Sequence, residues 1–236
     1  MGVKDWPMRN LSDKTRKTIV LAAIVVLGCL IMGYVDAVIS PDYAVKSAAK
    51  IILFILLPLI YSLFDKEAGL RKLLKINRRS IKYALLLGIG VYIFILSAYY
   101  ILSPFFDFSK VTAALQNNIG VNKSNFVFVA IYISFVNSLL EEFFFRGVAF
   151  LTLKKVAGRK MAYIFSAAAF AVYHVAIMTG WFSPGLFVLL IGGLFAAGLM
   201  FNWLDERYNN IYVSWLVHMC ANFSINTIGF ILFGIL

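Results

Sequence analysis

The stretch Leu139-Leu140-Glu141-Glu142-Phe143-Phe144-Phe145-Arg146-Gly147 sets two carboxylates and a guanidinium into otherwise apolar sequence. A charged side chain at the centre of a membrane helix costs about 2.5–3.5 kcal/mol on insertion scales, so three in six residues have to be paired, hydrated or used. The chain has two histidines, and both lie in similar surroundings. His174 closes Phe170-Ala171-Val172-Tyr173-His174, and His218 opens His218-Met219-Cys220-Ala221-Asn222. An ionisable group inside an apolar run is a functional-site candidate by default.

Helical spacing assigns these residues different parts. Glu142 and Arg146, four apart, share a face and are expected to form an ion pair; Glu141, turned by about 100°, is left to face another helix. His218 and Asn222 share a face in the same way, as do Phe170 and His174, so Phe170 is expected to wall the site or hold the imidazole. A carboxylate and an imidazole together can activate a water and later protonate a leaving amine. Donors from His218 and Asn222 can stabilise the tetrahedral oxyanion, which completes the requirements of amide hydrolysis. Ser138 and Cys220 do not read as activated nucleophiles: Ser138 has no motif around it, and Cys220 lies about 200° around its helix from His218. The same atoms have a competing use, since Glu141, His174 and His218 could form a three-ligand zinc site with water in the fourth position. No HExxH accompanies them.

The elements that must carry these residues are membrane spans. Of 236 residues, 62% are hydrophobic and 14% charged, a composition outside that of soluble domains. The expected fold class is all-α, an integral membrane bundle of about seven transmembrane helices in a single membrane-embedded domain over 1–236. Seven apolar runs stand near 18–37, 47–64, 82–103, 126–151, 161–179, 184–204 and 211–235. Counted from the nearest flanking base at about 1.5 Å per residue, Glu141 lies about 20 Å from Lys154, His174 about 21 Å from Lys160 and His218 about 17 Å from Arg207. Three helices are thus expected to bring their polar groups to one level.

The net charge of +11 sits in clusters between the runs. That pattern records membrane orientation rather than a nucleic-acid surface, and no nucleic-acid partner is expected. Five bases precede the first run (Lys4, Arg9, Lys14, Arg16, Lys17), seven lie in 65–82, including Arg71, Lys72, Arg78 and Arg79, and four follow the fourth run (Lys154, Lys155, Arg159, Lys160). The loops near 38–50, 104–125 and 180–183 hold two, two and none. The N-terminus is therefore expected in the cytoplasm and the C-terminus outside, with Asp205-Glu206-Arg207 a nearly neutral last connection. The first run is read as a retained helix rather than a signal peptide, and Trp6 breaks the myristoylation pattern that Met1-Gly2 opens. Segment 104–125 is expected to be a solvated connection, with a short interfacial helix as the alternative; its Asn122-Lys123-Ser124 sequon is a triplet common by chance. Gly192, Gly193, Ala196, Ala197 and Gly198 read as a helix-packing surface, and no disulfide between Cys29 and Cys220 is expected.

The pattern EExxxR, then FxxxH, then HxxxN resembles the CPBP family of intramembrane proteases, which includes the type II CAAX prenyl endopeptidases and their abortive-infection-like bacterial relatives. Here it is carried by Glu141-Glu142 with Arg146, Phe170 with His174, and His218 with Asn222, over a core of about 125–230. The resemblance implies a helical bundle with a conical cavity, probing peptide or prenylated, lipid-associated protein substrates within the bilayer. It makes Glu141 the base, His174 its partner, His218 and Asn222 the oxyanion site, and Glu142 and Arg146 the support, with no resident cofactor. Two readings compete with it: a non-catalytic immunity or scaffold protein using the cluster structurally, and a proton-coupled transporter, which lacks the paired interrupted helices of an inverted repeat.

Overall fold

In the computed structural model, residues 12–70, 73 and 78–236 are described. Lys4, Arg9, Arg71, Lys72 and the Met1-to-Trp6 segment lie outside them. No strand occurs among the described residues, and seven helices are long and apolar enough to cross a membrane. We label the helices α1 (Asp13–Ile39), α2 (Tyr43–Phe64), α3 (Arg78–Leu102), α4 (Ser109–Ile119), α5 (Phe126–Ala157), α6 (Arg159–Met178), α7 (Pro184–Tyr208) and α8 (Tyr212–Leu232). All but α4 are the membrane spans, so the expected fold class is borne out.

Helix α5 is the most buried span and sits at the middle of the bundle, against α1, α2, α6, α7 and α8. An aromatic seam fixes its position. Phe144 stacks on Phe54 of α2 at 4.0 Å between centroids, and Phe145 meets Phe54 and Phe170 edge-on and Tyr173 at a tilt of 39°. On the other side α1 must come close to the Phe144 ring: a Cβ on Gly28 would lie 2.8 Å from its Cζ. Helix α3 packs along α8 at the periphery and leaves most of its surface to lipid.

Several expectations are corrected. Segment 104–125 is not simply a solvated connection, because Ser109–Ile119 forms a helix ended by Gly120 in the left-handed conformation. Asp205, Glu206 and Arg207 are not a loop but the last turns of α7. There Asp205 is buried and accepts hydrogen bonds from the Ser214 amide and hydroxyl, tying α7 to the start of α8. Glu206 accepts from Lys154, Arg159 and Tyr163 and joins the ends of α5, α6 and α7. Lys46 and Lys50, counted above as loop bases, lie inside α2 and are buried. Of the small residues in α7, Gly198 makes a close approach, with its Cβ direction 2.9 Å from the Ala167 Cα, whereas Gly192 and Gly193 face open space.

Four segments wind as π-helix: Val35–Ile39, Ile52–Leu56, Ile133–Asn137 and Glu142–Thr152. A π turn shifts bonding from i+4 to i+5 and breaks the regular ladder where it begins and ends. Around the third segment, side chains of α8 supply extra donors to the backbone. Asn226 donates to the Ala130 carbonyl, Asn222 to that of Ile133 and the Trp215 indole to that of Phe135. In a membrane interior no water does this job, so the polar residues of α8 are matched to the irregular backbone of α5.

Candidate active site

Glu141 ends a short α-helical stretch of α5, and the long π segment starts at Glu142. The two adjacent carboxylates leave the helix in different directions, as consecutive residues on a helix do. Glu141 Oε2 stands 3.9 Å from Nε2 of His174 on α6 and 3.9 Å from Nε2 of His218 on α8. These separations exceed a direct hydrogen bond, and a single water oxygen at the usual distance of about 2.8 Å bridges such a gap. The expectation that Glu141, His174 and His218 come to one level holds in space.

The count behind that expectation fails for His218. The path from Arg207 to His218 crosses the non-helical turn before Tyr212, and His218 is only six residues into α8. Asn210 and Ile211 of that turn are themselves buried, so α8 starts deep in the protein and still delivers His218 to the site.

Each imidazole is held by its other nitrogen. His174 Nδ1 lies 2.8 Å from the Phe170 carbonyl, which can only accept, so Nδ1 carries the proton and Nε2 turns a lone pair to the site. Phe170 also places its ring edge-on to His174 at 4.7 Å and to His218 at 5.9 Å. It thus walls the site and holds the imidazole at once. His218 Nδ1 meets Glu142 Oε1 at 2.7 Å, and its ring stacks on Phe201 of α7.

Glu142 and Arg146 form the expected ion pair, with Nε 3.2 Å from Oε2, both side chains fully buried. The pair is not aligned as a hydrogen bond, because residues four apart fall short of a full turn once the helix widens. The guanidinium lies instead over the rings of Phe170 at 4.1 Å and Phe201 at 4.9 Å, a cation–π setting that suits its delocalised charge. Glu142 thus does more than balance Arg146: through Oε1 it also orients His218.

Two departures concern Glu141 and Asn222. Glu141 is not left free, since its Oε1 accepts from Lys50 Nζ at 3.0 Å and from Asn137 Nδ2 at 2.9 Å. Sequence reasoning missed Lys50 and Asn137. The signal was there for Lys50, which lies inside the apolar run 47–64 and is an intramembrane charge by the rule applied to the histidines. Asn222 shares a face with His218 and directs one amide hydrogen to Ile133, leaving the other for a ligand.

A zinc ion suits these donors poorly. Tetrahedral zinc at bonds of about 2.0–2.1 Å wants ligand atoms about 3.3 Å apart, against 3.9 Å from Glu141 to each histidine. The Lys50 ammonium on the same carboxylate adds repulsion towards any dication. No group of three or more metal-type side chains is spaced to hold an ion among the described residues.

Seven apolar helices enclosing a buried carboxylate between two oriented imidazoles define an integral membrane protein with a polar site in its interior. The comparison with known families makes this specific: residues 123–224 match the family described as "Type II CAAX prenyl endopeptidase Rce1-like". That segment, a little under half of the chain, is similar to this family, and the resemblance seen in the motifs is borne out. The match runs from just before α5 into α8, includes every motif residue and leaves α1 to α4 outside. The family matched is one of CAAX-type membrane proteases, and the matched segment is the part of the chain that carries the site. No curated protein and no solved structure matches the chain.

Proposed function

We propose that the protein is an intramembrane endopeptidase that cleaves a lipid-modified or membrane-associated peptide with a water activated by Glu141 and His174. The observation carrying this reading is that Glu141 Oε2 faces the Nε2 atoms of both histidines at equal distance while each Nδ1 is engaged elsewhere. In this mechanism the water oxygen attacks the scissile carbonyl as its proton passes to Glu141, with the His174 lone pair sharing the water. The developing oxyanion takes donors from His218 Nε2–H and from the second amide hydrogen of Asn222. The intermediate collapses with rupture of the C–N bond, and the leaving amine takes a proton from the Glu141/His174 pair. Products are a carboxylate and an amine, with no covalent enzyme intermediate and no metal in any step.

Burial of the site within the bundle favours a substrate that is already in the bilayer. Entry is through a lateral gap between helices, and a crosslinking experiment in which peptide reaches Glu141 only from the aqueous side would overturn this route. The N-terminus lies in the cytoplasm.

The test is cleavage of a prenylated or membrane-anchored peptide by purified protein in detergent. Glu141→Ala and His174→Ala are expected to abolish turnover while the protein still elutes and melts as a folded species. Turnover surviving in either variant would remove the assignment. Activity is also expected to persist after exhaustive chelation, and loss that zinc alone restores would replace this mechanism with a metal-dependent one.

A further inference from the structure

The two oxygens of Glu141 are treated differently by the fold. Oε2 faces the histidines, whereas Oε1 is held by Lys50 and Asn137. Lys50 Nζ also donates to Asn137 Oδ1 at 2.6 Å, so ammonium, amide and carboxylate close a three-membered ring of hydrogen bonds. The ammonium sits 5.0 Å from the centroid of the Tyr173 ring and 5.7 Å from that of Phe54, and the lysine side chain is 10% exposed. Two helices contribute: Lys50 comes from α2 just before the Ile52–Leu56 π turn, Asn137 from the end of the Ile133–Asn137 π turn of α5, and Glu141 one turn further along α5.

This ring does what a catalytic carboxylate needs. The terminal torsion of a glutamate is broad and nearly two-fold, so an untethered carboxylate would interchange its oxygens and swing away from the water. Two donors on Oε1 remove that freedom before any substrate arrives, and preorganisation of this kind is where much catalytic power comes from. A neutral amide alone would hold the oxygen but leave a buried charge unbalanced, which is costly. Lys50 supplies both the donor and the charge.

We propose that Lys50, with Asn137, is a positioning residue that pins Glu141 Oε1 so that Oε2 is the oxygen presented to the attacking water. Lys50 lies outside the segment that matches the protease family, so on this account the spans before residue 123 complete the site. The inference rests on the reading of Glu141 as general base.

The experiment compares wild type, Glu141→Gln, Lys50→Met, Lys50→Arg and Lys50→Ala with the membrane-anchored peptide, following melting temperature alongside kinetics. Lys50→Met is expected to lower kcat about 100-fold, the scale of a misplacement near 1 Å, with KM within about 2-fold. Lys50→Arg, which keeps charge and donors, is expected to retain more turnover than Lys50→Met. Lys50→Ala is expected to regain at least about 10-fold of its lost kcat in n-propylammonium, which replaces the missing atoms. Propan-1-ol, of the same size and uncharged, is expected to restore none. Lys50→Met turning over at the wild-type kcat while Glu141→Gln is inert would overturn the positioning role and leave the protease reading standing. Equal rescue by propan-1-ol would show that Lys50 only fills space and would overturn it as well. A wild type that cleaves no peptide would overturn the protease reading and the positioning role together.

Discussion

Arg146 is the side chain whose surroundings say most about how a charge is kept in this membrane interior. Its guanidinium has Glu142 on one side, two phenylalanine faces across it, and no aligned hydrogen bond. Removing one partner of such a buried pair leaves the other unbalanced, at a cost of about 3–5 kcal/mol. Arg146→Ala is therefore expected to lower the melting temperature in detergent sharply, and Arg146→Lys to recover only part of it, because a compact ammonium does not stack as a planar guanidinium does. Equal stability of Arg146→Lys and wild type would show that the ring faces contribute nothing. At this scale the sequence was informative where residue type and spacing carry the signal: Glu142 with Arg146, Phe170 with His174, and the convergence on Glu141 are all present. Lys50 escaped because a lysine at the edge of an apolar run reads equally as a loop base; Asn137 was legible, since it stands four residues before Glu141, the same spacing that sets His218 beside Asn222.

Helix α5 shows what spacing arguments leave out. An α-helical wheel assumes one rise and one twist throughout, yet α5 changes its winding at Ile133, returns to α-helix at Ser138 and widens again at Glu142. Neighbouring carboxylates at this junction have different partners, Glu141 with Lys50 and the histidines, Glu142 with Arg146 and His218. Such winding is set by tertiary partners, and those partners come from a distant part of the chain. Asn226 is the clearest of them, donating to the Ala130 carbonyl and to Ser134 Oγ from a buried position on α8. Asn226→Leu keeps the volume and removes the donors, leaving buried acceptors unpaired at a cost of about 1–3 kcal/mol. Melting that is unchanged in this variant would mean that the π turn holds itself.

Among the described residues seven helices are candidate spans, and an odd number of crossings is expected to put the two ends of the chain on opposite faces of the bilayer. The direction follows from where the bases lie, and relocating Lys46 and Lys50 sharpens it. Both were counted in the 38–50 loop, but both are buried in α2, Lys46 paired with Asp36 and Lys50 with Glu141. A lysine neutralised inside the bundle does not hold a loop at the cytoplasmic face. The connections 38–50, 104–125 and 180–183 then hold only Lys110 and Lys123, whereas the alternate connections hold Lys154, Lys155, Arg159 and Lys160 and the other two basic clusters of the sequence, and these are expected at the cytoplasmic face. The number of spans was legible because hydropathy and length suffice for it; the fate of these two lysines was not, since it depends on carboxylates from α1 and α5 that no local window contains. A periplasm-active reporter fused after Leu236 is expected to be active, and the same reporter fused after Lys82 to be silent. Substituting Lys46 and Lys50 together is expected to leave that topology unchanged while lowering stability, because their charges serve the interior. A reporter pattern that inverts in the double variant would return both lysines to the role of orientation signals and would count against the buried pairs.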